Sequence, residues 1–255
     1  MRLSIFNRHV AESIDCIAVW HGPVPYERAL DLQMKICESK KQGFGKDVLM
    51  LLEHPPTITL GRNASPDHLL VRDEDLRSRG VAVYNVDRGG DVTFHGPGQL
   101  VGYPLLALNQ GERDVHGYMQ KLEESLIRLL DTYGVAAGRD AGFTGVWTEK
   151  GKIAAMGVHI SRWITRHGFA LNANTDLSFY NLIVPCGIVG RSVTSMKEEL
   201  GHTLDLEEIA GRYVACFSSV FQRNMISMSA EDFIDEYPWF QEINSGVGDR
   251  GACPA

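Results

Sequence analysis

Short apolar runs, each stopped by glycine, proline or charge, predict most of the strands in this chain. Residues 48–53 read VLMLLE, which is typical of a buried strand, and His54, Pro55 and Pro56 end that run. Similar runs predict further strands at residues 16–20, 57–60, 81–86, 100–108, 153–160 and 168–171, with a turn at residues 162–167.

Apolar residues at helical spacing predict the helices. Leu30, Met34 and Cys37 recur along one face with charges between them, and Asp114 stands where it can cap the start of a long helix. The predicted helices cover residues 25–41, 73–79, 114–133 and 205–220.

Strands and helices in mixed order predict an α/β (α+β) fold, with a mixed central sheet flanked by helices. We find no linker-like break and no internal repeat. We therefore expect a single domain over residues 1–245. Residues 246–255 are small and polar, and we expect them to form a disordered tail.

The charge of the chain excludes some classes of partner. The 255 residues carry a formal net charge of −7 at pH 7, which argues against nucleic-acid binding. No apolar run is long enough to cross a membrane, and the N-terminal residues have no uninterrupted apolar segment of the signal-peptide kind. We therefore expect a cytoplasmic protein that acts away from membranes.

The cysteines and histidines give no sign of a disulfide framework or a metal centre. The five cysteines are widely spaced and form no C-x-x-C pair, so reduced thiols are the default. The histidines lack the i, i+4 spacing of a helical zinc motif, and no acidic cluster accompanies them. We expect no metal and no cofactor.

Residues 88–104, RGGDVTFHGPGQLVGYP, concentrate the special-purpose residues of the chain. Five glycines let the backbone bend or approach a ligand closely, and Pro97 fixes one backbone angle. An ordinary loop between two strands is an alternative interpretation. The density of polar side chains between the glycines favours a binding surface; they are Arg88, Asp91, Thr93, His95 and Gln99.

Cys186 is the best candidate for a nucleophile among the cysteines. It follows an apolar run, and Pro185 and Gly187 bracket it, so the backbone there is bent and open to close approach. A small buried thiol at the end of a strand is the alternative, and composition alone favours that alternative.

Three stretches resemble, in the same order, the motifs of the lipoyl(octanoyl) transferases. They are residues 88–104, residues 145–172 (GVWTEKGKIAAMGVHISRWITRHGFALN) and residues 183–188 (IVPCGI). The resemblance covers residues 48–196 and does not reach the residues after about 200. It implies the fold of biotin and lipoate protein ligase catalytic domains. It also implies that an octanoyl group moves from acyl carrier protein to a lysine of a lipoyl domain. The acceptors would be the lipoyl domains of 2-oxoacid dehydrogenase complexes and the glycine cleavage H protein.

The same resemblance implies that Cys186 and Lys152 are the catalytic residues. The cysteine carries the acyl group as a thioester, and the lysine lowers the thiol pKa and acts as general base and then acid. Lys150 is an alternative to Lys152, but the motif fits Lys152 better. The implied substrate-binding residues are Arg88, Gly89, Gly90, Asp91, Val92, Thr93, Phe94, His95, Ala155, Met156, Gly157, Gly168, Phe169 and Ala170.

Three histidines lie in or near these motifs. His95 could donate a hydrogen bond to the thioester carbonyl or orient the attacking amine, and it is equally suited to tying the glycine-rich turn together. We expect His159 to be structural and His167 to lie next to the site. Acidic carrier and acceptor proteins would need a local basic surface, for which the candidates are Lys150, Arg162, Arg166 and Arg191.

Other functions stay open. An ATP-dependent lipoate or biotin ligase would share the fold, but it would need a nucleotide phosphate site, and the chain has no G-x-x-x-x-G-K-[ST] loop. A non-catalytic module that binds lipoyl domains would keep the pocket and tolerate loss of Cys186. A cysteine hydrolase, which would release free fatty acid without an acceptor, fits least well.

Overall fold

The computed structural model of this chain describes residues 14–43, 45–185 and 191–237. Its strands are β1 (Ile14–Pro23), β2 (Asp47–Glu53), β3 (Thr57–Leu60), β4 (Ala82–Asn85), β5 (Val92–His95), β6 (Gln99–Leu105), β7 (Gly138–Asp140), β8 (Phe143–Trp147), β9 (Lys152–Ser161), β10 (Ile164–Asn172) and β11 (Arg223–Met228). Its α-helices are α1 (Tyr26–Lys41), α2 (Asp73–Ser78), α3 (Val115–Asp131), α4 (Met196–Leu200), α5 (Leu206–Phe221) and α6 (Ala230–Glu236).

A large mixed sheet forms the centre of the described part of the chain. Its strand order is β11-β1-β2-β6-β10-β9-β8-β7. β1 runs parallel to both β11 and β2, and every other neighbouring pair is antiparallel. The fold is therefore the mixed α/β sheet with flanking helices that the sequence predicts.

Both faces of this sheet are covered by helices. Along β2, Leu49 and Leu51 belong to a core that includes α3 and α5, whereas Val48, Met50 and Leu52 belong to a core that includes α1 and α6. Successive side chains of a strand point to opposite faces, so a strand that is buried on both faces must be apolar throughout. This explains why residues 48–53 read as an unbroken apolar run.

A smaller sheet, in the order β4-β3-β5, carries the glycine-rich stretch. β5 belongs to this small sheet, whereas β6 belongs to the large sheet, and the turn at residues 96–98 joins them. Glu53 accepts a hydrogen bond from the backbone of Gly98 (2.8 Å), which ties the turn to the end of β2. The polar residues between the glycines therefore lie partly on strands, so the alternative interpretation of this stretch as an ordinary loop does not describe all of it.

Several boundaries differ from the predicted ones. The β9–β10 turn is confined to Arg162 and Trp163, and both of these residues adopt positive φ (51° and 63°). The prediction of a turn over residues 162–167 is therefore wrong, and His167 lies within β10. The strand predicted at residues 100–108 ends at Leu105, and β11, α4 and α6 are absent from the prediction.

The remaining predictions about the chain as a whole have separate outcomes. No helix in the described part of the chain is long and apolar enough to span a membrane. The tail predicted at residues 246–255 lies outside the described residues, and the single domain over residues 1–245 stays a prediction.

Candidate active site

Two adjoining cavities lie where the small sheet meets β9 and β10. The inner cavity has a volume of about 20 Å³, enough for about one water molecule, and the outer cavity has about 290 Å³. The inner cavity is lined by Tyr26, Arg88, His95, Tyr103, Ala155, Met156, Gly157, His167, Gly168, Phe169 and Ala170. The outer cavity is lined by Arg88, Gly90, Asp91, Val92, Thr93, Gly142, Phe143, Thr144, Lys152, Ala155 and Met156.

The cavities bring together most of the substrate-binding residues that the sequence predicts. Three segments that are far apart in the chain, namely residues 88–95, 155–157 and 168–170, meet there. Gly89 and Phe94 line neither cavity. Phe94 stacks instead on Phe179 at a centroid distance of 4.7 Å, because its strand alternates and this side chain faces the core of the small sheet. Contact of Phe94 with a substrate stays a prediction.

The glycine-rich loop is fastened to β9 through backbone contacts. The amide of Gly89 donates to the carbonyl of Val158 (2.9 Å). A side chain at Gly157 would not fit beneath the loop, since its Cβ would lie 2.5 Å from the carbonyl oxygen of Gly89. Close approach of the two backbones therefore requires glycine at position 157.

The guanidinium of Arg88 is held in place where the two cavities meet. It donates to the carbonyl oxygen of Thr59 (2.8 Å), to the Thr59 hydroxyl (2.9 Å) and to the carbonyl of Gly89 (3.1 Å). Arg88 is 7 % exposed. A buried cation with several acceptors is rigid, so Arg88 offers a fixed positive wall to both cavities.

His95 ties the glycine-rich turn to the following strand. Its Nδ1 lies 2.9 Å from the amide oxygen of Gln99, while the Gln99 amide nitrogen donates to the carbonyl of Phe94 (3.0 Å). Burial lowers the pKa of His95 well below its ordinary value, so the ring is neutral. With its proton donated to Gln99, Nε2 is an acceptor. This geometry favours the turn-tying alternative over donation to a thioester.

His167 and Asp87 form a hydrogen-bonded cluster with Arg166 and His159 at the inner cavity. His167 Nε2 lies 2.9 Å from the Asp87 carboxylate, which also pairs with Arg166 and lies 3.3 Å from His159. The hydrogen bond from His167 and the charge of Arg166 hold the pKa of Asp87 well below its usual range. His167 therefore lines the inner cavity with its orientation fixed. Its place next to a bound substrate stays a prediction.

Lys152 lies at the start of β9 and lines the outer cavity. Its side chain is buried, and its Nζ stands 5.2 Å from the ring centroid of Trp147 on the neighbouring strand. The Lys152 amide donates to the carbonyl of Ser192 (2.9 Å), and the Thr194 amide donates to the carbonyl of Lys152 (3.0 Å). The segment that starts at Arg191 is thus held against β9 at Lys152.

Cys186 lies outside the described residues, which stop at Pro185 and resume at Arg191. The preceding segment is anchored as well, because the amide of Val184 donates to the carbonyl of His68 (2.8 Å). The role of Cys186 as nucleophile and its pairing with Lys152 stay predictions.

The three described cysteines are poor nucleophiles. Burial raises the pKa of Cys37 to about 11, and it raises the pKa values of Cys16 and Cys216 as well. A thiol with a pKa of about 11 is roughly 0.01 % thiolate at pH 7. We therefore assign no acyl-carrying role to any of the three.

Among the described residues, no group of three or more histidine, cysteine or acidic side chains is arranged to hold a metal ion. The candidates for a basic docking surface are mostly paired with acids. Lys150 lies 3.5 Å from Glu199, Arg191 lies 3.1 Å from Asp140, and Arg166 pairs with Asp87. A docking surface built from these residues stays a prediction.

Sequence reasoning missed Tyr26, which lines the inner cavity, and His54, which contacts two of the lining residues. His54 bonds to the hydroxyl of Tyr103 (2.8 Å), and the ring of Tyr26 lies 5.1 Å from that of His54 and 6.0 Å from that of His95. His54 and Tyr26 come from different elements with no motif around them. The H-P-P sequence after β2 was the one available signal, and it indicates only the end of a strand.

Comparison with known proteins identifies the family. The model of the lipoyl protein ligase A/B catalytic domain matches residues 25–218. Octanoyltransferase of Solibacter usitatus is 49% identical over 205 residues, which is 80% of this chain and 92% of that protein. Octanoyltransferase of Chloroflexus aurantiacus is 51% identical over 203 residues, with coverage of 78% and 91%. A structure from the bi-partite lipoate protein ligase system of Thermoplasma acidophilum shares the fold, with a TM-score of 0.66 at 13% identity and coverage of 94% and 100%. The matched span and the half-identical relatives show that this chain belongs to the lipoyl protein ligase A/B catalytic-domain family.

Proposed function

We propose that this protein is an acyltransferase that moves an octanoyl group from octanoyl-acyl carrier protein to a lysine of lipoyl domains. Curated relatives that are about half identical over most of the chain are octanoyltransferases. The observation that carries the proposal is the convergence of three separate segments and Lys152 around the same pair of adjoining cavities.

The outer cavity has the chemistry that an acyl chain needs. Val92, Phe143, Ala155 and Met156 supply apolar wall, and Arg88 and Lys152 supply positive charge. Burial of each methylene group contributes about 0.8 kcal/mol, so an eight-carbon chain gains several kcal/mol from such a wall. We propose that these charged groups stabilise the negative charge that a thioester oxygen gains during attack.

We propose a two-step reaction through a thioester on Cys186. In the first step, the Cys186 thiolate attacks the thioester carbonyl, the bond to the carrier sulfur breaks, and Lys152 returns a proton to that sulfur. In the second step, the acceptor lysine amine attacks the new thioester, gives its proton to Lys152, and releases the Cys186 thiolate. Supporting this assignment, the segment that leads out of residues 186–190 is hydrogen-bonded to Lys152 at Ser192 and Thr194.

The partners follow from the same reaction. The donor is octanoyl-acyl carrier protein, and the acceptors are the lipoyl domains of 2-oxoacid dehydrogenase complexes and the glycine cleavage H protein. The reaction exchanges one thioester for another and then forms a more stable amide, so it needs no nucleotide. We propose that it takes place in the cytoplasm.

Intact-mass measurement tests the proposal most directly. The protein is mixed with octanoyl-acyl carrier protein without ATP or acceptor, and a lipoyl domain is added afterwards. We expect one octanoyl adduct on Cys186, which the lipoyl domain discharges. Cys186→Ala should lose the adduct and all transfer while keeping its fold, whereas Cys216→Ala, a half-buried thiol elsewhere, should keep both.

Two results would contradict the proposal. Transfer by a folded Cys186→Ala protein would exclude the acyl-cysteine route. Acceptor modification only when ATP is present, without an adduct, would assign the protein to the ATP-dependent ligases of its family.

A further inference from the structure

The side chain of Lys152 lies against the ring of Trp147, a residue inside the second sequence motif to which the motif assigns no role. Trp147 and Lys152 are directly opposed in the β8–β9 register, and the lysine Nζ stands 5.2 Å from the indole centroid. Trp147 is 8 % exposed, and its Nε1 donates to the carbonyl of Phe143 (3.3 Å). The ring is therefore fixed independently of the lysine.

The path of the lysine stem depends on a neighbouring glycine. Gly145 has φ +131°, and a Cβ at this position would lie 2.5 Å from Cε of Lys152. The amide of Gly145 also donates to Glu123 on α3 (3.1 Å). The Lys152 side chain therefore passes over Gly145 of β8, where no side chain blocks it, and its ammonium group reaches the indole of Trp147.

A second cation rests on the same ring. The guanidinium of Arg191 lies 5.6 Å from the centroid of Trp147 and 5.6 Å from that of Phe143, and it bonds to Asp140 at 3.1 Å. Arg191 is the first described residue after residues 186–190, and its neighbour Ser192 accepts the backbone hydrogen bond of Lys152. The indole therefore contacts one cation on β9 and another at the start of the segment that begins at Arg191.

We propose that Trp147 is a positioning residue, whose indole holds the ammonium of Lys152 at the outer cavity and the guanidinium of Arg191 beside that cavity. This inference rests on the proposed function. An aromatic face attracts a cation through its quadrupole but has no site that takes the cation's proton, unlike a carboxylate. Lys152 can thus be localised and still release and accept a proton. Given the proposed pairing of Lys152 with Cys186, positive charge concentrated on one ring also favours the Cys186 thiolate.

The test compares alkylation of Cys186 by iodoacetamide, mapped by mass, at pH 7 and at pH 10. At pH 7, loss of the indole ring in Trp147→Leu should slow alkylation of Cys186 about 10-fold. At pH 10, where exposed thiols are largely ionised, the difference should shrink to within about twofold. Octanoyl-adduct formation should slow to a similar degree with KM unchanged, and Trp147→Phe, which keeps an aromatic face, should recover most of the rate.

Trp163→Leu is the matched control. Trp163 also carries a cation on its ring, with Arg113 at 5.9 Å from the centroid, but it lies in the turn at the far end of β9. Its loss should leave both rates unchanged. Where thermal unfolding shows that Trp147→Leu does not fold, Arg191→Gln takes its place, and it should slow alkylation at pH 7 about threefold.

Some outcomes overturn this inference. Alkylation of folded Trp147→Leu, or of Arg191→Gln, at the wild-type rate at pH 7 would exclude the role. Alkylation that is slowed equally at pH 7 and pH 10 would show that the substitution changes access to the thiol and not its ionisation, which would also exclude the role. A wild-type protein that forms no octanoyl adduct overturns the proposed function instead, and the alkylation comparison still decides whether Trp147 positions Lys152.

Discussion

His54 shows how a single side chain can make this fold sensitive to acid. Its Nδ1 lies 2.6 Å from the carbonyl of Val24, which can only accept, so the ring proton is on Nδ1. Nε2 therefore accepts from the Tyr103 hydroxyl at 2.8 Å. Burial lowers the pKa of His54 to about 4, and burial lowers the pKa of His21 to about 4 as well.

We expect stability to fall as the pH is lowered from about 6.5 towards 4. In this window an unfolded histidine, with a pKa of about 6.5, binds a proton that buried His54 does not bind, so protons favour the unfolded state. Each such histidine lowers the free energy of unfolding by at most about 1.4 kcal/mol for each pH unit. His54→Asn keeps a donor for the Val24 carbonyl but takes up no proton in this pH range. Between pH 7 and pH 5, its free energy of unfolding should therefore fall by about 2 kcal/mol less than that of the wild type.

Urea unfolding at these two pH values measures the difference. The exposed His116 provides the control, since His116→Asn should lose as much stability as the wild type. The same loss in His54→Asn as in the wild type would show that His54 does not account for the acid sensitivity.

At the residue scale, sequence could point to Arg88, Lys152 and Gly157 because a motif surrounds each of them. It could not point to His54, and it assigns no role to Trp147, although the second motif contains that residue. Their roles depend on partners in other elements, such as Tyr103, which is 49 positions from His54. Contacts between side chains of different elements cannot be inferred from a single sequence.

At the scale of elements, the site depends on how closely the loop at residues 88–90 lies on β9. Gly157→Ala should push this loop away, because the added Cβ would stand 2.5 Å from the Gly89 carbonyl oxygen and 3.2 Å from Cδ of Arg88. We expect octanoyl-adduct formation to fall by at least about 10-fold, since a displacement near 1 Å disturbs reacting geometry strongly. Stability should fall by about 1–3 kcal/mol.

A glycine with free space around it gives the matched control. Gly211 lies inside α5, and a Cβ there would meet no atom within 4 Å. Gly211→Ala should raise stability by about 1 kcal/mol through helix propensity and leave adduct formation unchanged. Adduct formation in Gly157→Ala at the wild-type rate would mean that the loop contact is not needed.

Sequence predicts the elements better than their ends. The turn between β9 and β10 is shorter than the sequence predicts, because Arg162 and Trp163 give no sign of the positive φ that they adopt. β11 was missed since residues 223–228, RNMISM, alternate only weakly. Its place in the sheet comes from parallel pairing with β1, which lies some 200 residues earlier in the chain.

At the scale of the whole molecule, a buried charge network joins β11 to the rest of the large sheet. Asp47 on β2 accepts from Lys40 (2.9 Å) and Arg223 (3.0 Å), and Arg223 also bonds twice to Glu112 (2.7 and 2.9 Å). The side chains of Asp47, Lys40 and Arg223 are each no more than 3 % exposed. The segment after residue 200, which carries no sequence motif, is thus fastened to the sheet by charge as well as by the apolar face of α5.

Arg223→Met should therefore destabilise the protein by about 3–5 kcal/mol. Removing the cation leaves the buried carboxylate of Asp47 with Lys40 as its partner and leaves the partly buried carboxylate of Glu112 without Arg223. Breaking a buried pair costs far more than losing a surface pair. The control is Arg212→Met, which breaks an exposed pair with Glu208 (2.6 Å) and should cost less than about 1 kcal/mol. Urea midpoints of the two variants give the comparison. Equal, small effects would show that apolar packing alone holds β11, whereas a large loss confined to Arg223→Met would show that the network fixes the C-terminal strand in the sheet.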